Sequence, residues 1–118
     1  MPACTELRLD RATQVLHVSF DDGVTYALPA EYLRVESPSA EVQGHGPGQK
    51  QIVSGRQQVA IVGIEPVGHY AVRLLFDDKH DSGIYSWAYL AELGQQHDHR
   101  WATYLDELAS RGLSRQPR

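Results

Sequence analysis

The residues with the most chemical potential lie in one short stretch, Asp77-Asp78-Lys79-His80-Asp81-Ser82-Gly83. A histidine among three aspartates could surround a hard cation, or its imidazole could be held charged by the carboxylates. The plainer reading is an acidic, solvated hairpin turn, because Asp, Ser and Gly are the residues that close such turns. Six histidines in the chain make metal binding worth testing. No His-x-Asp or His-x-Glu occurs, so the usual opening of an iron-oxygenase facial triad is missing. His97 and His99 stand two apart in an expected helix, about 200° around its axis, and should not chelate one ion together.

Other templates for catalysis fail on spacing. Gly44-His45-Gly46-Pro47-Gly48-Gln49-Lys50 has the glycines of a phosphate loop, but Gln49 occupies the position of the second required glycine and no Lys-Ser/Thr pair follows. There is no Gly-x-Ser-x-Gly elbow, and Cys4, the only cysteine, falls in an N-terminus expected to be mobile. Local motifs therefore give no catalytic centre, and neither enzymatic activity nor a cofactor is expected.

The elements that must position these residues follow from periodicity. Val15–Phe20 and Val24–Leu28 alternate across Asp22-Gly23, which reads as a β-hairpin, and Leu7 and Leu9 supply a preceding strand through a turn at Asp10–Thr13. Ser37 to Gly55 is dense in Gly, Pro and Ser and reads as a long loop, with a short strand at Gln51–Val53 and a binding surface as its expected use. A second hairpin is predicted from Val59–Ile64 to Tyr70–Phe76, turning at Glu65-Pro66-Val67-Gly68. Ser86 caps a helix that Gly94 should stop. Trp101, Tyr104, Leu105 and Leu108 form one face of a last helix that ends at Gly112. Strands first and helices last indicate an α+β fold: a β-rich antiparallel meander with hairpins, then two C-terminal helices packed on the sheet.

At 118 residues, with 42% hydrophobic and 22% charged residues, the chain should bury one core, from about residue 7 to 112, with a flexible tail at 113–118. A net charge of −4 without a concentrated basic face argues against nucleic acid. A single cysteine allows no internal disulfide, and neither a signal peptide nor a membrane span is recognisable, so a cytoplasmic protein is expected.

Leu28-Pro29-Ala30-Glu31-Tyr32-Leu33-Arg34, the loop with Gly44-His45-Gly46, and Asp78-Lys79-His80-Asp81-Ser82-Gly83-Ile84-Tyr85-Ser86-Trp87-Ala88-Tyr89-Leu90 resemble, in that order, the gamma-butyrobetaine-hydroxylase-like N-terminal domain family. In that family the domain precedes 2-oxoglutarate-dependent oxygenases of the carnitine pathway, is attached to Mrp-type P-loop iron–sulfur carrier ATPases, or stands alone, and this chain looks like the stand-alone form. The resemblance implies a domain for assembly or contact, with a protein partner and a homodimer both open. It also implies a structural zinc held by Cys-x-Cys-x-x-Cys and a later histidine. Here those cysteine positions fall on Ser37, Ser39 and Val42, and only His80 matches. Zinc should therefore be lost, and a polar clasp among Ser37, Ser39, Glu36 and His80 should hold the segment instead. Ser37, Ser39, Glu41, His45, His80 and Asp81 are the candidate contact surface. The alternative is a small-ligand or metal site built from the 37–48 loop and His80.

Overall fold

A computed structural model describes residues 3–44 and 50–117. Three strands, β1 (Cys4–Asp10), β2 (Val15–Phe20) and β3 (Thr25–Pro29), pair antiparallel in the order β1-β2-β3. Asp10 closes the first turn by accepting the amides of Ala12 and Thr13 at 3.0 and 3.2 Å. Gly23 closes the second at φ +85°, a left-handed conformation that glycine adopts without a Cβ clash. Cys4, expected in a mobile terminus, instead opens β1 opposite Phe20.

The second sheet, β4 (Ile61–Val67), β5 (Ala71–Phe76) and β6 (Gly83–Ser86), is also antiparallel, in the order β4-β5-β6. The expected turn at Glu65–Gly68 lies further on, because β4 runs through Pro66 to Val67. Proline cannot donate to a ladder, and β4 tolerates it as an edge strand. The chain turns at Gly68, φ +59°.

Among the described residues, four helices complete the fold: α1 (Ala30–Val35), α2 (Ala40–Gln43), α3 (Trp87–Gln95) and α4 (His97–Ser110). Ser86 caps α3 by accepting the Tyr89 amide at 3.0 Å, as its position foretells. Gly94 does not stop α3, which continues to Gln95. Its role is close approach: a Cβ there would lie 2.3 Å from Cγ of Tyr26. Leu16, Val18 and Leu28 from one sheet meet Ile61, Leu74 and Tyr85 from the other in one core, closed by Tyr32 and Leu33 of α1 and by Leu90 and Leu93 of α3. Val35, Tyr104 and Leu108 form a smaller cluster under α4, while Leu105 remains 37% exposed.

Helices α1 and α2 interrupt what reads as strand and loop. Every residue of α1 is buried, so no polar stripe marks it as a helix. Gln51–Val53 is not a strand; the Gln51 amide reaches Val42 O at 2.6 Å, and Val53 O accepts from the Tyr104 hydroxyl at 2.6 Å. Tyrosine hydroxyls tie this half together. Tyr32 donates to Leu93 O at 2.7 Å, Tyr89 to Glu36 O at 2.6 Å, and Tyr85 to Leu33 O. Where a flexible tail is expected after residue 112, Arg115 instead pairs with Glu31 through two bonds of 2.9 and 2.7 Å. Its guanidinium also stacks 5.2 Å from the Trp101 ring centroid. The half-buried Glu31–Arg115 pair and the bonds from the Gly55 and Gln57 amides to Ser114 O and Arg115 O fasten this segment across residues 55–57.

Candidate functional site

The segment after α1 and the turn after β5 meet at His80. The ring is 4% exposed and both nitrogens are engaged: Nε2 lies 2.9 Å from Ser37 Oγ and Nδ1 3.1 Å from Glu41 Oε2. Burial pushes the His80 pKa below its ordinary value and Arg34 adds to this, against the opposing pull of Glu41 and Asp78. This favours the neutral ring, and because the Glu41 carboxylate can only accept, the matching tautomer has Nδ1–H donating to Glu41 and Nε2 accepting the Ser37 hydroxyl proton. Ser37 Oγ in turn accepts the Ser39 amide at 3.3 Å. Gly83 makes the approach sterically feasible, since a Cβ there would sit 2.6 Å from Ser37 Oγ.

The clasp expected from sequence is therefore present with a different membership. Ser37 and His80 form it, and Glu41 joins. Ser39 contributes only its amide; its own hydroxyl is buried without a partner among the described residues. Glu36 faces away, binding Lys50 Nζ at 3.1 Å and Arg100 Nη1 at 2.6 Å. Of the other candidates, Val42 is buried, Glu41 and Asp81 are exposed, and His45 lies outside the described residues.

The Ser37–His80–Glu41 order is that of an acyl-transfer relay. Ser37, however, is 0% exposed, so its hydroxyl offers no open face to a substrate. Nor do these side chains suit zinc: Ser37, Ser39 and Val42 offer no thiolate, and the His80 imidazole already has both nitrogens bonded. The aspartates expected around His80 are otherwise employed. Asp78 Oδ2 takes Arg34 Nε at 2.8 Å and Arg56 Nε at 2.7 Å, Asp78 Oδ1 takes the His80 amide at 3.1 Å, and Asp77 Oδ1 takes the Ala60 amide at 3.1 Å. Among the described residues no group of three or more His, Cys, Asp or Glu side chains is arranged to hold a metal ion.

Next to this clasp, between α4 and residues 50–53, runs a groove of about 450 Å3. Val35, Ile52, Val53 and Tyr104 give it an apolar lining; its polar border mixes Lys50, Arg100 and Arg111 with Glu36 and Glu107, and Lys50 and Arg100 are both paired with Glu36. Desolvation first, then the negative charge of Glu31, pushes the Tyr104 pKa up to about 12, so its hydroxyl stays protonated and keeps donating to Val53 O. Sequence periodicity marked only the apolar side of α4; the groove also needs residues 50–53, whose irregular backbone leaves no periodic signal.

A family model described as gamma-butyrobetaine hydroxylase-like, N-terminal, matches residues 7–91. The chain belongs to this family. Two proteins known from NMR solution structures share its fold across nearly its whole length. One is 48% identical, with TM-score 0.86, covering 100% of this chain and 93% of that one. The other is 45% identical, with TM-score 0.86, covering 99% and 87%. A crystal structure of a DUF971-family protein of unknown function from Acidithiobacillus ferrooxidans is 41% identical, with TM-score 0.66 over 78% of this chain and 92% of that one. Nothing among the curated proteins matches the chain. Among the described residues no helix is long and apolar enough to cross a membrane.

Proposed function

We propose that this family member is a non-catalytic accessory module that holds a protein partner in the groove between α4 and residues 50–53. The carrying observation is the composition of that groove, where an apolar floor from Ile52, Val53 and Tyr104 lies inside a charged border of Lys50, Arg100 and Arg111 with Glu36 and Glu107. An apolar anchor with a polar border is the pattern that concentrates binding energy at interfaces. The Ser37–His80–Glu41 clasp then acts as scaffolding, keeping α1 and the 50–53 segment in place. By analogy with fused members of the family, the partner class is a P-loop iron–sulfur carrier ATPase in the cytoplasm; nucleic acid and membrane are not part of the reading, and self-association through another face stays compatible with it.

A small ligand is the second reading, favoured by the groove volume of about 450 Å3, which falls within the usual range for ligand sites. A cleft at His80 itself finds no support, because that ring is sealed.

The test is capture of a purified carrier ATPase, and of partners from cell extract, by the parent chain, by Thr103→Arg, which fills the groove from exposed α4, and by Glu41→Ala with Asp81→Ala on the clasp side. The groove variant should lose capture and the clasp-side variant should keep it. The opposite pattern refutes the groove reading in favour of the 37–48 surface.

A further inference from the structure

We propose that Arg34 and Arg56 form a binding site for a small oxyanion, on the other flank of the 50–56 segment from the groove. Both Nε atoms converge on one carboxylate oxygen, Asp78 Oδ2, at 2.8 and 2.7 Å. The Arg34 side chain is 9% exposed, Asp78 19% and Arg56 35%, so two cations share a single mostly buried anion. The second oxygen of Asp78 is occupied by the His80 amide. Arg34 Nη1 is buried and has no hydrogen-bond partner among the described residues.

Of the nearby anions, Glu41 is held on the His80 ring but is itself exposed, so solvent screens its charge and it offsets this excess only in part. Arg115, the nearest basic residue of the C-terminal segment, is already matched by Glu31 through two hydrogen bonds. Asp77 and Lys79, which flank Asp78 in the chain, are exposed and opposite in sign. The His80 ring is pushed toward its neutral form by burial and by Arg34 itself. Asp78 alone does not match both guanidiniums, and Arg34, the more buried of the two, keeps an unpaired Nη1.

An open depression of about 760 Å3 adjoins the pair, lined by Arg34, Arg56, Ser114 and residues 52–55, 112–113 and 116–117. Guanidinium forks match the geometry of phosphate and carboxylate oxygens and bind them through charge-assisted bonds. A small oxyanion resting there would meet the exposed edge of Arg56 and the field of Arg34, and would supply the charge that Asp78 alone cannot. This site shares only Ile52 and Val53 with the groove and does not depend on what the groove holds.

The test is thermal unfolding with chloride replaced by inorganic phosphate or by acetate at constant ionic strength, together with amide chemical shifts of the parent chain. A site-bound anion should raise the midpoint saturably and shift the amides of residues 54–56 and 113–115. Whether phosphate or acetate acts at the lower concentration identifies the oxyanion class. Arg56→Gln should weaken the response about tenfold, the scale of losing one charge-assisted hydrogen bond, and Lys79→Gln should leave it unchanged. Equal midpoints in all three salts without localised amide shifts, or a parent-like response in Arg56→Gln, overturns the proposal.

Discussion

Replacing Ser37 and Ser39 by alanine, two residues apart, should have opposite consequences. Ser37 Oγ is 0% exposed, donates to His80 Nε2 at 2.9 Å and accepts the Ser39 amide at 3.3 Å. Ser37→Ala leaves a buried imidazole nitrogen unpaired, at about 1–3 kcal/mol, and removes the acceptor of the long Ser39 amide bond, worth about 0.5–1 kcal/mol. Switching tautomer does not rescue the ring, because Nε2–H would then lack an acceptor and Glu41 would lose its donor. The expected loss is about 2–3 kcal/mol. With an unfolding entropy of roughly 0.25 kcal/mol/K for 118 residues, the midpoint should fall by about 8–12 °C. Ser39 Oγ is buried without a partner, and at the start of α2 it makes no capping bond. Ser39→Ala removes an unsatisfied hydroxyl and should be neutral or stabilising by up to about 1 kcal/mol. Urea and thermal unfolding of both variants decide the matter, with Ser37→Ala repeated in a His80→Leu background, where its cost should largely disappear. Equal effects of the two alanines, or a full Ser37→Ala loss without His80, would falsify the clasp as an energetic unit.

Three further outcomes are expected. Because the folded pKa of His80 lies below its ordinary value, the unfolded chain binds the extra proton first. Its contribution should be whole above about pH 6.5 and lost as pH falls from there toward the folded pKa, a decline in urea stability on the acid side of about pH 6.5 that His80→Gln should flatten. The Asp78 pKa is held below its usual value because the bonds from Arg34, the His80 amide and Arg56 together outweigh the opposing desolvation, so that loss falls in a more acidic window. Trp101→Ala should cost about 2 kcal/mol rather than the 3–5 of a fully buried ring, since Trp101 is half-buried and held by Tyr32, Tyr104 and Arg115; an unfolding midpoint within error of the parent would mean that these contacts contribute nothing. Metal analysis of the purified, tag-free protein should find no stoichiometric zinc, and near one zinc per chain, lost in His80→Ala, would contradict the assignment of Ser37, Ser39 and Val42 as non-ligands.

Much of the strand framework was legible in the sequence because alternation and turn chemistry act locally. Asp10, Gly23 and Ser86 each perform the role their position suggests. Helix α1 was not legible. A helix buried on all sides has no stripe, and its charged members Glu31 and Arg34 find their partners in Arg115 and Asp78, 84 and 44 residues away. The same separation hid the tail: Arg115 reads as a solvated terminal charge until Glu31 and the Trp101 ring are placed beside it. The meeting of Ser37 with His80 could be expected from the family resemblance. The recruitment of Glu41, and of Glu36 to Arg100 instead, depended on which way each carboxylate turns from the one-turn helix α2 and from the end of α1, and elements that short leave no periodicity to record it.

The tyrosine hydroxyls bear on how the chain folds. Helix α1 has six residues, well under the roughly 12–15 at which a helix begins to hold in isolation. Its end is secured from far downstream, with Tyr85 and Tyr89 bonding Leu33 O and Glu36 O across 52 and 53 residues. The first sheet can close through hairpins of nearest neighbours, but α1 cannot consolidate until β6 and α3 have docked. Amides of α1 should therefore gain protection from hydrogen exchange in step with α3 rather than with β1 and β2, and an N-terminal fragment ending before β4 should keep its meander while leaving residues 30–37 unprotected.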